Sequence, residues 1–341
     1  MTLTRRFPAE WEPVEAVLLA WPHENTDWQP LLHYVRECYS HIIEAVSKRA
    51  KVIVIGPEKP EGRYISKGTV KENVSFIQLQ TNDTWTRDYG PVSMLSSAGS
   101  RILMDYKFNG WGLKFASDCD NLATSRLHSN GVLKGELVNR LGFVLEGGSV
   151  ESDGKGTILT SSNCLLSPNR NGDKNRGQIE EQLKADLNAQ KILWIENGEL
   201  EGDDTDGHID TLARLLPDDT IVYVSCDRVE DSHYESLKAM ENELKSMTSV
   251  DEKPFHLIGL PLPEPMYDPE DGSRLPATYA NFLLLNGAVL LPVYGQALDA
   301  VAVDVMKKAL PDYEIVPIDC SALVRQHGSL HCATMQIPKE R

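Results

Sequence analysis

Four times along the chain, two apolar runs face each other across a short turn of Gly, Asp or Asn, the sequence pattern of a β-hairpin. Pro91-Val92-Ser93-Met94-Leu95 turns at Ser97-Ala98-Gly99 into Arg101-Ile102-Leu103-Met104, and Gly148-Ser149-Val150-Glu151 turns at Asp153-Gly154-Lys155-Gly156 into Thr157-Ile158-Leu159-Thr160. Thr211 to Leu216 breaks at Pro217-Asp218-Asp219 before Ile221 to Val224, and Phe282 to Leu285 turns at Asn286-Gly287 into Ala288 to Leu291. These turns lie about 55 to 70 residues apart, the spacing of a repeated module. Apolar residues at helical spacing fall between them, over 31–48, 176–187, 232–245 and 297–309. With Ala16 to Trp21 and Val52 to Ile55 supplying a further unit, the chain reads as an α/β protein with a radial arrangement of about five hairpin-plus-helix modules. A doubly wound sheet is the main competitor. Against it, the early strand Lys51 to Ile55 runs into Gly56-Pro57-Glu58-Lys59-Pro60, a turn that cannot open a phosphate-binding helix smoothly.

No low-complexity linker divides the 341 residues, and the Pro-rich segment Gly259 to Pro265 reads as a surface loop inside one domain spanning 1–341. The 41% hydrophobic content is enough for a sizeable core. Against 34 Lys and Arg stand 50 Asp and Glu, a formal charge of −16, which repels phosphate backbones and draws in cations. Nucleic acid is therefore excluded as an expected partner. The start of the chain, Met1 to Glu10, has no apolar stretch of signal-peptide length, and no window reaches a membrane span. The expectation is a cytoplasmic protein without a membrane partner. Six cysteines (Cys38, Cys119, Cys164, Cys226, Cys320, Cys332) are scattered without a Cys-x-x-Cys pair, so five are expected to be core thiols.

Polar motifs sit beside these modules. Gly202-Asp203-Asp204-Thr205-Asp206-Gly207-His208-Ile209-Asp210 sets four carboxylates around one imidazole. If 208–210 are extended, His208 and Asp210 share a face, base beside anion. A solvated acidic loop, with or without calcium, is the bland alternative. In Asn82-Asp83-Thr84-Trp85-Thr86-Arg87-Asp88-Tyr89-Gly90-Pro91, Asp88 either pairs with Arg87 at a turn or waits in a pocket for a cation. Leu145-Glu146-Gly147-Gly148 ends a strand on a carboxylate, followed by two glycines that let another group approach closely. Near the C-terminus, His331-Cys332 offers a nucleophile. Adjacent strand residues point to opposite faces, so this pair makes a poor metal chelate.

Trp85-x-Arg87-Asp88-x-Gly90-Pro91, Phe108-Asn109-Gly110-Trp111-Gly112, Leu145-Glu146-Gly147-Gly148, Thr205 to Asp210 and His331-Cys332 occur together in this order. The set resembles the agmatine deiminase and bacterial peptidyl-arginine deiminase family of guanidine-modifying penteins, from Pro8 to Pro338. The resemblance implies a five-fold pseudosymmetric α/β propeller, no cofactor and no metal, and it is compatible with a homo-oligomer. It also implies roles. Asp88 and Asp210 grip a guanidinium in fork geometry. Cys332 attacks its carbon, His208 moves the protons, and Glu146 orients His208 and favours its charged form. Asp204 would bind a far-end ammonium, and Trp85 and Trp111 would wall the methylenes, core packing being the other reading of both tryptophans. The expected substrate is agmatine, giving N-carbamoylputrescine and ammonia. Peptidyl-arginine or another guanidine is the nearest alternative. A metal-dependent hydrolase built on Asp203, Asp204, Asp206, His208 and Asp210, or a polyamine-binding protein, would be of another class. The chain departs from the commoner family pattern at Gly110 and Leu113, and at Gln326-His327-Gly328-Ser329-Leu330, both near the substrate mouth.

Overall fold

The computed structural model describes residues 5–341, so Met1 to Thr4 of the segment read above for a targeting signal lie outside the described residues. All four hairpins form. Val92–Ser96 pairs antiparallel with Arg101–Lys107, Val150–Ser152 with Thr157–Ser161, Ala213–Leu216 with Thr220–Ser225, and Leu283–Leu285 with Ala288–Val293. Their turns are built from residues that tolerate a left-handed backbone: Asp218 and Asp219 at φ 59° and 52°, Asn286 and Gly287 at φ 44° and 81°.

In each case the second strand then pairs in parallel with a third, Glu136–Val144, Lys191–Ile195, His256–Pro261 or Glu314–Asp319. A parallel neighbour needs a crossover, and the helices Ala123–Ser129, Arg176–Leu187, Tyr234–Ser246 and Leu298–Ala309 supply it. The fifth unit is assembled from both ends of the chain. Met335–Pro338 pairs antiparallel with Val14–Ala20, which continues in parallel to Lys51–Gly56 and Val74–Gln78, with Leu32–Ser47 crossing between. Five sheets of three or four strands thus share one ββαβ plan. Val17, Leu18 and Leu19 are fully buried, as are Leu290 and Leu291 in the fourth unit. Leu32–Ser47 lays Val35, Tyr39, Ile42, Ile43 and Val46 on the core side, an amphipathic stripe that keeps the crossover outside its sheet.

Two local readings are corrected. The Pro-rich loop begins as a strand: residues 259–261 end His256–Pro261 on the edge of the third sheet. An edge strand tolerates Pro261, whose missing N–H no neighbour requires. Cys119 is partly exposed beside Asp118, whereas Cys38, Cys164, Cys226 and Cys320 are buried. Among the described residues, no helix is long and apolar enough to cross a membrane.

Candidate active site

The segments that carry the polar motifs lead directly into the first strands of their modules. Asp88 and Glu146 stand four residues before Val92–Ser96 and Val150–Ser152, and Asp210 and Cys332 three before Ala213–Leu216 and Met335–Pro338. The fourth module contributes Asn281, two residues before Leu283–Leu285. The sequence reading passed over Asn281, a single polar residue in an apolar run. Its Oδ1 accepts from the backbone N–H groups of His331 (3.0 Å) and Cys332 (3.2 Å), fixing the turn that presents the thiol.

That turn is helical, with Ala333 N–H bonded to Ser329 C=O and Thr334 N–H to His331 C=O. The strand geometry expected at 331–332 is therefore absent, and the two side chains separate for a different reason. His331 reaches Asp210 and Glu10, each at 2.7 Å, while Cys332 Sγ lies 3.9 Å from Asp210 Oδ2. The extended reading of 208–210 also fails, because Ile209–Thr211 is a 3₁₀ turn. Thr205 Oγ1 accepts from His208 N–H at 3.0 Å, and Thr211 N–H and Oγ1 both bond to His208 C=O, winding the chain there.

His208 and Asp210 nevertheless converge, and Gly148 shows where. A Cβ on Gly148 would lie 2.7 Å from His208 Nδ1, 2.9 Å from Asp88 Oδ1 and 3.0 Å from Asp210 Oδ2. Only a residue without a side chain allows these three groups to meet. Asp88 does not pair with Arg87. It accepts from Trp111 Nε1 (2.9 Å) and from Gly148 N–H (3.0 Å), while Arg87 turns away to Gln336 and the His331 carbonyl.

His208 is fully buried, its Nδ1 3.5 Å from Asp88 Oδ1 and its Nε2 3.5 Å from Glu146 Oε2. At that range the attraction is Coulombic, and neither ring nitrogen has a hydrogen-bond partner. Burial pushes the imidazole down, but Asp88, the Cys164 thiol and Glu146 outweigh it and hold His208 well above its usual value. Burial likewise works against Glu146. His208 and the single Arg170 Nε–H, shared between both Glu146 oxygens at 2.7 and 3.0 Å, keep its carboxyl below the ordinary range. Arg170 was not legible in the sequence; it joins Glu146 to Asp206, which Lys114 holds at the surface.

The two carboxylates that raise Cys332 are shifted in opposite directions. Burial, reinforced by Asp210 and Glu146 and opposed by His208, pushes Asp88 up to about 6. Burial also works against Asp210, but the His331 hydrogen bond and charge bring it below the usual value. Burial, then Asp210 and Asp88, drive the Cys332 thiol well above its normal range. The resting sulfur is a neutral thiol facing two acids, an arrangement that a cation would reverse.

A cleft of about 230 Å³ opens onto Cys332, and Trp85, Asp88, Trp111 and Asp204 line it. Both tryptophans are also buried, so wall and core packing coincide. Asp210, His208 and Glu146 stand behind this lining and are fully buried. The cleft adds Asp27, Asp83 and Phe115, groups not singled out beforehand, and includes Gln326, His327 and Gly328 from the segment expected near the substrate mouth. Burial first, with Asp27 and Asp204 adding to it, pushes Asp83 up to about 7, and burial raises Asp204 as well. Asp83 sat unremarked inside the Trp85 motif; the signal was its side-by-side placement with a pocket tryptophan.

The acidic loop disperses. Asp203 accepts from Thr205 and Gly207, Asp206 binds Arg170 and Lys114, and Asp204 alone of the three lines the cleft. Among the described residues, the donors that do cluster are Glu146, Cys164 and His208, and separately Glu10, Glu151 and His331. Arg170 and Arg214 already neutralise these two groups. Residues 266–276 form a two-stranded ladder, Met266–Tyr267 with Arg274–Leu275, and do not line the cleft.

The profile of the Porphyromonas-type peptidyl-arginine deiminases matches residues 6–338. A solved Porphyromonas gingivalis structure, called "Putative Arginine Deiminase", is 48% identical over 98% of this chain and 99% of its own, with a TM-score of 0.92. A C. jejuni agmatine deiminase with substrate bound is 38% identical over 99% of this chain and 97% of its own, at a TM-score of 0.91. A Vibrio parahaemolyticus protein called "Putative agmatine deiminase" is 35% identical over 97% of this chain and 96% of its own. A likeness that runs through every module places the chain in the Porphyromonas-type peptidyl-arginine deiminase family.

Proposed function

We propose that the protein hydrolyses agmatine to N-carbamoylputrescine and ammonia through a covalent intermediate on Cys332. The observation that carries this reading is the charge of one cleft. It brings Cys332 and Asp88 together with Asp27, Asp83 and Asp204 and, among the described residues, has no Lys or Arg in its lining. Such a cleft suits a substrate with a cation at each end. Free arginine would bring a carboxylate to acids that repel it. The substrate-bound C. jejuni agmatine deiminase, similar over nearly the whole chain, supports the same reading.

In this mechanism the guanidinium enters between Asp88 and Asp210 and donates its N–H groups to them. Its charge neutralises the two acids that suppress Cys332, and the sulfur ionises, its proton passing to solvent. The thiolate adds to the central carbon to form a tetrahedral adduct. His208, already protonated, gives its proton to one nitrogen; the C–N bond breaks, ammonia leaves, and a thiouronium remains on sulfur. Neutral His208 then takes a proton from water as the oxygen adds to the same carbon. The C–S bond breaks, the hydroxyl proton of the adduct passes to the departing sulfur to restore the thiol, and the ureido product is released. Glu146, held ionised by Arg170, keeps His208 charged at the start of each cycle. Asp204 and Asp83 bind the far ammonium, and Trp85 and Trp111 border the methylenes.

The five ββαβ units are proposed to surround a pseudo-five-fold axis, which would account for their motifs meeting at one place. The proposed setting is the cytoplasm, where six free cysteines persist. The test is ammonia release and product mass with agmatine, arginine and a short arginine peptide in parallel, with Cys332→Ala as control. Turnover of agmatine alone, lost in the variant, is expected. Turnover of the peptide in preference would transfer the assignment to peptidyl-arginine.

A further inference from the structure

Behind Asp210 lies a buried chain of alternating charges that the mechanism above does not use. His331 Nδ1 is 2.7 Å from Asp210 Oδ2, and its Nε2 is 2.7 Å from Glu10 Oε2. Arg214 Nη2 donates to the same Glu10 oxygen at 2.7 Å, and Arg214 Nε donates to Glu151 at 2.6 Å. The guanidinium of Arg214 is anchored further by the carbonyls of Ala280 and Phe282 and lies 4.6 Å over the Phe282 ring. A contact of 2.7 Å between a ring nitrogen and a carboxylate oxygen requires a proton between them. Each His331 nitrogen therefore shares a proton with a carboxylate, Asp210 on one side and Glu10 on the other. Arg214 Nη2 also stands 3.0 Å from Nε2; with both atoms donating to Glu10, that approach is a shared acceptor and not a bond between them.

We infer that His331 is a positioning residue for the guanidinium site, acting through Asp210 and held in place by Glu10 and Arg214. A free carboxylate can present either oxygen by rotating about its last bond. Here Oδ2 is tied to His331, while Oδ1 is buried with no partner. An orphaned buried acceptor is costly unless something fills it, and a guanidinium N–H is the donor that fits. Asp88 has neutral hydrogen-bond donors, the Trp111 indole and a backbone N–H, and its cation, His208, stands off at 3.5 Å. Burial raises Asp88 to about 6, whereas the His331 contact holds Asp210 below the usual carboxylate range. One jaw of the fork is thus preset by His331, and the other closes when the cation arrives.

The inference rests on the guanidinium grip proposed above, and two isosteric changes test it without requiring turnover. His331→Asn places an amide N–H where Nδ1 stands and keeps the donor to Asp210. His331→Gln places it where Nε2 stands and loses that donor. The probe is the guanidinium ion at millimolar concentration, read as the concentration that half-saturates its effect on the rate of Cys332 alkylation by iodoacetamide, with Tm measured on each variant. We expect the half-saturating concentration to lie within about threefold of the unmodified protein in His331→Asn and to be at least about tenfold higher in His331→Gln, at matched Tm. With agmatine, the same split should appear in KM more than in kcat. Equal shifts in the two variants, shifts that follow Tm, or no effect of guanidinium on the unmodified protein would overturn the inference. Failure of agmatine turnover with the guanidinium split intact would remove the proposed substrate and leave the role of His331 standing.

Discussion

At the scale of single residues, the account turns on proton positions around a neutral thiol. Cys332→Ala should lower kcat by roughly a thousandfold or more while leaving Tm nearly unchanged, measured by ammonia release and thermal melting. His208→Gln should lower kcat by about 10²- to 10⁴-fold, the usual scale for a lost acid–base group. The grip needs Asp88 ionised, and burial has raised that carboxyl to about 6. Ionisation is lost as pH falls through that value, so kcat/KM for agmatine should drop about tenfold per unit below pH 6. A flat profile down to pH 5 would contradict this. Cys332, His208, Asp210, Glu146 and Asp88 stood out as candidates because each lies in a short polar motif beside a hairpin, and the resemblance of the motifs taken together to one family supplied their expected roles. Arg170, Glu10 and Asn281 did not stand out. Each is one polar residue without a local pattern, and the partners that give it meaning are remote: Glu10 and His331 are 321 positions apart.

At the scale of elements, hairpins and crossover helices were readable because alternation, turn residues and helical spacing are local signals. The third, parallel strands and the closing pair Met335–Pro338 with Val14–Ala20 were not, since their partners are set only when the whole chain folds. The 3₁₀ turn after His208 was hidden for a related reason: side chains at Thr205 and Thr211 wind it. The Asn109–Phe115 segment shows what a departure from the family pattern does. Trp111 and Leu113 adopt left-handed backbone at φ 54° and 69°, and Gly110 is at φ 68° with the Phe115 carbonyl against the place a Cβ would take. Gly110→Ala should therefore displace Trp111 from Asp88 and raise KM at least about tenfold, as steady-state kinetics would read. Leu113→Gly should relieve strain and raise Tm slightly.

Over the whole molecule, a net charge of −16 should steer dicationic agmatine toward the cleft. kcat/KM should fall as NaCl rises from about 10 to 200 mM, because the Debye length shrinks from about 30 Å to under 10 Å. Leu290→Ala, in a fully buried strand away from the cleft, should cost about 2–5 kcal/mol of stability by denaturant melting and leave KM unchanged at low temperature. Asp210 lies 3.9 Å from the Cys332 sulfur, Asn281 holds its backbone and Asp88 shares its cleft, and chemistry at that sulfur is the central claim. Its most direct test is acid quenching of the protein during agmatine turnover, followed by mass analysis of the Cys332 peptide. The account predicts an adduct on Cys332 equal to agmatine less ammonia, absent without substrate. An unmodified Cys332 peptide together with turnover surviving in Cys332→Ala would contradict it.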